Sequence, residues 1–214
     1  LVPEEYGGAA MTTKEVVVMM DEIAASGGGF SAAQAIHGGI YNTPPIVNYG
    51  SEEMKSELLP KVARGEVSIQ SFALTEPNAG SDSTSIETFA KKDGDEYVLN
   101  GQKIWTSRVD ATDYIVVVAR TTPKSEVEKR TRGISMFLVD KEDAFDQGGL
   151  ETSTIPKTAS GCVHSYEMWF KDLRIPEGNL IGEEGEGFYQ VLDGLNEERL
   201  VIAAECVGLG EAAI

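Results

Sequence analysis

The segment "NEERL", residues 196–200, sets two carboxylates and a guanidinium into a stretch whose periodicity from Gly187 onward is helical and largely apolar. At about 100° per residue, Phe188, Val191, Leu195, Ile202, Cys206 and Leu209 fall within about 40° of Leu195, which predicts a buried stripe. Arg199 then lies about 40° to one side of Leu195 and Glu198 about 60° to the other, while Glu197 points nearly opposite, toward solvent. An inward carboxylate is costly without a partner, and a dry site raises its proton affinity. A ligand is therefore a reasonable missing partner for Glu198 and Arg199. The residue types alone favour a structural ion pair to another helix.

Two further stretches carry chemistry. "SFALTEPNAGSD", residues 71–82, leaves an apolar run for a loop with Pro77, Asn78 and Gly80, where freed backbone N–H groups and the hydroxyls of Thr75 and Ser81 suit a phosphate or a heteroaromatic edge. "NGQKIWTSRVDATDYIVVVA", residues 100–119, reads as a hairpin turning at Asn100-Gly101. Trp105 and Ser107 then share one face of its outgoing arm, an indole beside a hydroxyl that suits a flat, partly polar ring. Taken singly, the first reads as a polar turn, and the second fits a core Trp equally well.

The elements that must place these residues follow from pattern. "TKEVVVMMDEIAA", residues 13–25, reads as a helix closed by Gly27, Gly28 and Gly29. A second helical stretch around "FSAAQAIHGGIYNTPPIVNYG" is expected to break or restart at Pro44 and Pro45, and a third follows with Ser51 as its N-cap. Beyond Gly65 the runs "VSIQSFAL", "EYVLNGQKIWTS", "DYIVVVART", "RGISMFLVD", "LETSTI" and "SYEMWFKDLRI" read as six strands of a small barrel or sandwich. No βαβ alternation or GxGxxG occurs, so any nucleotide is held by other means than a Rossmann domain. The expected class is α+β: an N-terminal helical domain over 1–66, a central β domain over 67–180, and the first helix of a C-terminal helical domain over 181–214.

A formal net charge of −17, from 35 acidic and 18 basic residues, opposes binding to nucleic acid or anionic lipid. Cys162 and Cys206 do not recur at metal spacing, His37 and His164 complete no ligand set, and no metal is expected. No apolar run approaches the roughly 20 residues that span a bilayer, and "LVPEEYGG" lacks the features of a signal peptide, so the reading is cytoplasmic. Without an initiator Met, the chain reads as a piece of a longer protein.

Together, "VPEEYGG", "EEMKSELLPKVARGE", "LTEPNAGSD", "GQKIWTSR" and "IPEGNLIGEEGEGF" followed by "NEERL" resemble, in order and spacing, the acyl-CoA dehydrogenase family from one end of the chain to the other. The resemblance implies FAD on the β domain, with Phe72, Leu74 and Thr75 along the isoalloxazine. It places Gly80 in the cofactor loop, Ser81 near both the FAD pyrophosphate and the acyl-CoA, and Trp105 and Ser107 against the flavin's central ring and N5. Asn196 and Arg199 would bind the CoA moiety. In the branch acting on branched and some long-chain acyl groups, the residue before that Arg is the catalytic Glu, and Glu198 holds that position; elsewhere the base comes from a C-terminal bundle.

Three positions depart from the pattern. Ser107 replaces a commoner Thr, Arg108 a frequent Asn, and Val163 a Ser that contacts the thioester, with His164 and Ser165 as weaker substitutes. The implied function is α,β-dehydrogenation of an acyl-CoA to the trans-2-enoyl-CoA, with electrons passed to an electron-transfer flavoprotein by a homotetramer or heteromer. The alternatives are a non-catalytic FAD-binding subunit, against which an inward Glu198 argues, and a flavin-dependent oxidase or monooxygenase, the latter often lacking the Arg. The isolated 214-residue piece is expected to be inactive.

Overall fold

The structure is a computed structural model that describes residues 1–159 and 161–214. Three helices come first: α1 (Thr13–Ala25), α2 (Gly29–Tyr49) and α3 (Glu52–Ala63). A capping box of Thr12 and Glu15 starts α1, and the Ser51 hydroxyl caps α3 by accepting from Met54 N at 3.1 Å, as its sequence predicts. The expected break in α2 does not occur, because Pro44 and Pro45 lie inside one continuous helix. The missing N–H groups are tolerated where tertiary packing holds the helix: both prolines are buried, and Thr43 Oγ1 donates to Gly39 O at 2.6 Å.

The central region is one eight-stranded sheet built from β1 (Ser71–Ala73), β2 (Phe89–Asp93), β3 (Glu96–Ser107), β4 (Tyr114–Arg120), β5 (Ile134–Asp140), β6 (Leu150–Thr154), β7 (Ser165–Pro176) and β8 (Leu180–Ile181). A short helix, α4 (Lys141–Asp146), joins β5 to the run before β6. The order is β6-β7-β3-β2-β4-β5-β8, with β1 parallel to β4. All six expected strands form, and β2 and β8 join them; neither "FAKKD" nor "LI" carries a period long enough to stand out.

The predicted hairpin is displaced. Residues 96–107 form one strand, and the chain reverses at Gly94 (φ +68°) between β2 and β3. Asn100-Gly101 instead stays in the strand where the register with β7 shifts, the extra residue lying on β7 between Phe170 and Leu173, and Gly101 has φ +146° where an added Cβ would lie 2.6 Å from Thr88 Cα.

Alternation along β4 divides the sheet's two faces. Ile115, Val117 and Ala119 join Leu99, Phe137, Met168 and Phe170 in a core that the sheet curls around. Val116 and Val118 face the other way, onto Ile46, Leu59 and Val191 from the helices.

The final helix, α5 (Gly187–Ala212), packs differently from the wheel prediction. Its buried residues are Gly187, Gln190, Val191, Gly194, Val201, Ala204, Glu205 and Gly208, while Cys206 and Leu209 are exposed. The wheel counted apolar side chains, whereas this helix approaches its neighbours along an edge of small residues. A Cβ on Gly194 would lie 3.3 Å from Pro45 Cγ, and one on Gly208 would lie 2.1 Å from Asp21 O. Gly208→Ala should therefore separate α1 from α5 and cost about 1–3 kcal/mol in thermal or urea unfolding. Gly210→Ala, whose Cβ meets nothing within 4 Å, should gain up to about 1 kcal/mol from helix propensity.

Candidate functional site

The loop after β1 is held from beneath by a buried ion pair. Lys103, fully buried on β3, donates to Glu76 Oε1 at 2.8 Å and to Leu74 O at 2.9 Å. Glu76 also accepts from Glu87 N at 2.6 Å and Thr88 N at 3.0 Å. Burial opposes the Glu76 charge, yet Lys103 and these donors hold the carboxyl below its ordinary range. Burial pulls Lys103 down to about 8 against the pull of Glu76. With its underside pinned, the loop keeps Phe72, Leu74 and Thr75 half-buried and Gly80 and Ser81 exposed. Arg120, itself buried, ties the downstream turn by donating to Thr84 O (2.6 Å) and Ile86 O (3.0 Å).

Beside this loop, β3 is irregular where it matters. Its register with β7 shifts between Lys103 and Thr106, and Trp105 sits within that bulge at φ +65°, a conformation that costs a bulky residue about 1–3 kcal/mol. The result is an indole 54 % exposed next to a buried Thr106 and a half-buried Ser107. Thr106 Oγ1 is buried without a partner, and Ser107 Oγ lies 3.4 Å from Ser165 Oγ. Position 108 is also left-handed (φ +63°), which explains why Asn suits that place and shows that Arg108 adopts the conformation at some cost. Val163 is buried, His164 Nδ1 pairs with Asp110 Oδ2 at 2.9 Å, and Ser165 accepts from Lys157 Nζ at 3.1 Å.

On α5, Glu198 is half-buried as predicted, and burial pushes its carboxyl above the usual range while His37 and Arg199 pull it back. Arg199 corrects the wheel: it is exposed, and its Nη1 donates to Asn196 Oδ1 at 2.8 Å. Its partner is thus a neighbour on the outer face of the same helix. Glu197 is also corrected, since it is half-buried against α1 with Thr13 Oγ1 at 3.4 Å. Both changes follow from the rotation of the buried edge described above.

Three residues that the sequence reading passed over complete this wall. Glu205, fully buried, meets His37 Nδ1 at 3.0 Å. The His37 ring packs edge-on against Tyr41, and Tyr41 against Phe72, at centroid distances of 5.3 and 6.1 Å. Burial, then Glu198 and Glu205, hold the Tyr41 phenol above its ordinary range and so neutral. Their signal was present as spacing: His37 and Tyr41 are one turn apart on α2, and Glu198 and Glu205 two turns apart on α5. The Tyr41–Phe72 contact thereby joins the wall bearing Glu198 to the shelf bearing Trp105.

The family model for the acyl-CoA dehydrogenase N-terminal domain matches residues 1–66, and that for the middle domain residues 71–173. The chain belongs to the acyl-CoA dehydrogenase family. It is 34% identical over 213 residues to an acyl-CoA dehydrogenase of Bacillus subtilis, covering 100% of this chain and 54% of that one. Against the mitochondrial long-chain specific acyl-CoA dehydrogenase of Sus scrofa, identity is 38% over 168 residues, covering 78% and 38% of the two chains. The structure of a glutaryl-coenzyme A dehydrogenase with glutaryl-CoA superposes with a TM-score of 0.85 and 32% identity, covering 99% of this chain and 52% of the other. The chain thus spans about half the length of relatives that match it end to end. No helix among the described residues is long and apolar enough to cross a membrane.

Proposed function

We propose that the complete protein is an FAD-dependent dehydrogenase that converts an acyl-CoA to its trans-2-enoyl-CoA, with Glu198 as the base. The observation that carries this is the half-buried Glu198 carboxylate, raised in proton affinity, on a wall joined through Tyr41 and Phe72 to the Trp105 shelf. The shelf fits a flavin: the exposed indole offers a flat face, and an added side chain at Gly80 would meet nothing, so the loop backbone is accessible. Phe72, Leu74, Thr75, Trp105 and Ser107 would hold the ring system, with Gly80 and Ser81 toward its phosphates. FAD held there would supply a hydride acceptor for the β-hydrogen.

The protein's own part is the proton. Glu198 takes the α-proton onto a carboxylate oxygen, and its raised affinity makes it a stronger base than one in water. Arg199 and Asn196, exposed one turn apart, present a cation and an amide toward solvent, where the anionic CoA end of the substrate lies. In the complete protein an electron-transfer flavoprotein would be the electron acceptor, and the assembly would be a homotetramer or heteromer in the cytoplasm.

Anaerobic mixing of the complete, FAD-loaded protein with straight- and branched-chain acyl-CoA should bleach the flavin band and release a trans-2-enoyl-CoA. If no acyl-CoA bleaches a bound flavin, the non-catalytic subunit reading takes its place. Arg199→Ala should weaken acyl-CoA affinity by roughly 10- to 100-fold, the worth of a charged hydrogen bond, measured by calorimetric titration. Its unfolding midpoint should hold, because an exposed Arg hydrogen-bonded to Asn196 one turn away on the same helix supports little of the fold.

A further inference from the structure

A half-buried lysine beside the shelf directs its charge onto neutral oxygens. Lys157 meets no carboxylate among the described residues, in a chain of 35 acidic and 18 basic side chains; its ammonium donates instead to Val163 O and, at 3.1 Å, to Ser165 Oγ. Ser165 is 5% exposed and pairs with Ser107 across the β3–β7 ladder, the two hydroxyl oxygens 3.4 Å apart. The backbone around them is fixed. Ser71 Oγ donates to Ser107 O at 2.8 Å, Arg108 N to His164 O at 3.0 Å, and Ile155 N to Ser165 O at 2.8 Å, so β1, β3, β7 and the chain leading to Lys157 converge on this pair.

Hydrogen-bond polarity runs one way along this line. An ammonium has donors and no lone pair, so Ser165 Oγ accepts from Lys157. If Ser165 also accepted from Ser107, its own buried proton would be left without an acceptor, which is costly. Ser165 therefore donates to Ser107 Oγ. The Ser107 proton then has no protein acceptor among the described residues and is free for a ligand on the half-buried shelf beside Trp105.

We propose that Lys157 and Ser165 are positioning residues that hold the Ser107 hydroxyl as a donor toward the acceptor edge of a bound flavin ring. The inference rests on the reading that the Trp105 shelf holds FAD. A flavin ring carries nitrogens and carbonyl oxygens along its polar edge, which take a donor and repel another lone pair. A hydroxyl with its proton fixed outward draws electron density from the ring and favours hydride uptake, whereas a freely turning one presents its oxygen part of the time. Lys157 acts only through Ser165.

Such a relay requires coupling between its ends. In the complete protein, stripped of cofactor and titrated with FAD, Lys157→Met should weaken FAD binding by roughly 3- to 10-fold, the usual effect of one oriented hydrogen bond, yet change little when residue 107 is already altered by Ser107→Ala. Ser165→Ala should give the same Ser107-dependent loss; it removes a single oxygen and carries the test if Lys157→Met fails to fold. The visible band of the bound flavin should shift in the same direction in Lys157→Met, Ser165→Ala and Ser107→Ala, because each removes the same donor. If the losses are equal with and without Ser107→Ala, or if affinity and band stay unchanged, Lys157 and Ser165 are structural only and the proposal falls. If the complete protein takes up no FAD, the reading of the shelf falls and takes this inference with it.

Discussion

Glu198→Gln in the complete protein should slow flavin bleaching by acyl-CoA by about 10²- to 10⁴-fold, the usual worth of a positioned general base. The amide is close to isosteric and cannot accept the α-proton. Because Glu198 is half-buried and Gln has nearly its shape, packing and FAD content should be preserved. Stopped-flow absorbance with saturating acyl-CoA measures the rate, and the flavin spectrum of the resting variant reports cofactor content. A bleaching rate close to that of the parent, together with an indispensable Glu elsewhere in the complete protein, would place the protein in the other branch of the family and leave Glu198 as a pocket residue.

The largest stability effect is expected at Lys103. Lys103→Met leaves Glu76, only 4% exposed, without its cation and should cost about 3–5 kcal/mol in urea unfolding. It should also loosen the loop from Leu74 to Asp82 and lower FAD retention, read as flavin per chain after gel filtration. Lys103→Met/Glu76→Gln should recover part of the stability, since it removes the stranded charge, while Gln keeps one oxygen for the N–H groups of Glu87 and Thr88. The pH dependence has a defined sign. The Glu76 carboxyl is depressed in the fold, so its contribution is fully present above the ordinary carboxylate range and is lost as pH falls through the depressed folded value. Removing Lys103 should flatten that acid-side loss. Equal stability of parent and Lys103→Met would show that the pair is not the clamp described.

Local signals carried much of the fold. Apolar periodicity and caps placed α1 and α3, and runs of β-branched and aromatic residues placed β3 to β7 within one or two residues. Period and cap chemistry act over a few residues, and nothing distant overruled them there. Three features were not legible for one reason. Continuity of α2 through Pro44 and Pro45, the register shift at Gly101 in place of a turn, and the left-handed backbone of Trp105 each depend on a partner far along the chain. The packing around α2 sustains the first, Thr88 lies against the second, and the shifted pairing with β7 accompanies the third.

The same division holds at the site. Ordered motifs identified the family, the loop and the strand that carries Trp105, and the inward tilt of Glu198 followed from the 3.6-residue period alone. Which face of α5 is buried did not, because a wheel weighs side-chain hydrophobicity, whereas packing was decided by where backbones approach closely: Gly194 at Pro45 and Gly208 at Asp21. That choice turned Arg199 outward to Asn196 and Glu197 inward toward Thr13. It also buried Glu205 against His37, a contact between residues 168 positions apart. The sequence by itself determined the elements, the family motifs and the presence of a carboxylate at the inner side of α5. Only the tertiary structure decided what surrounds that carboxylate, because its electrostatic neighbours come from α2 as well as α5, and no periodicity along one segment records what lies across from it.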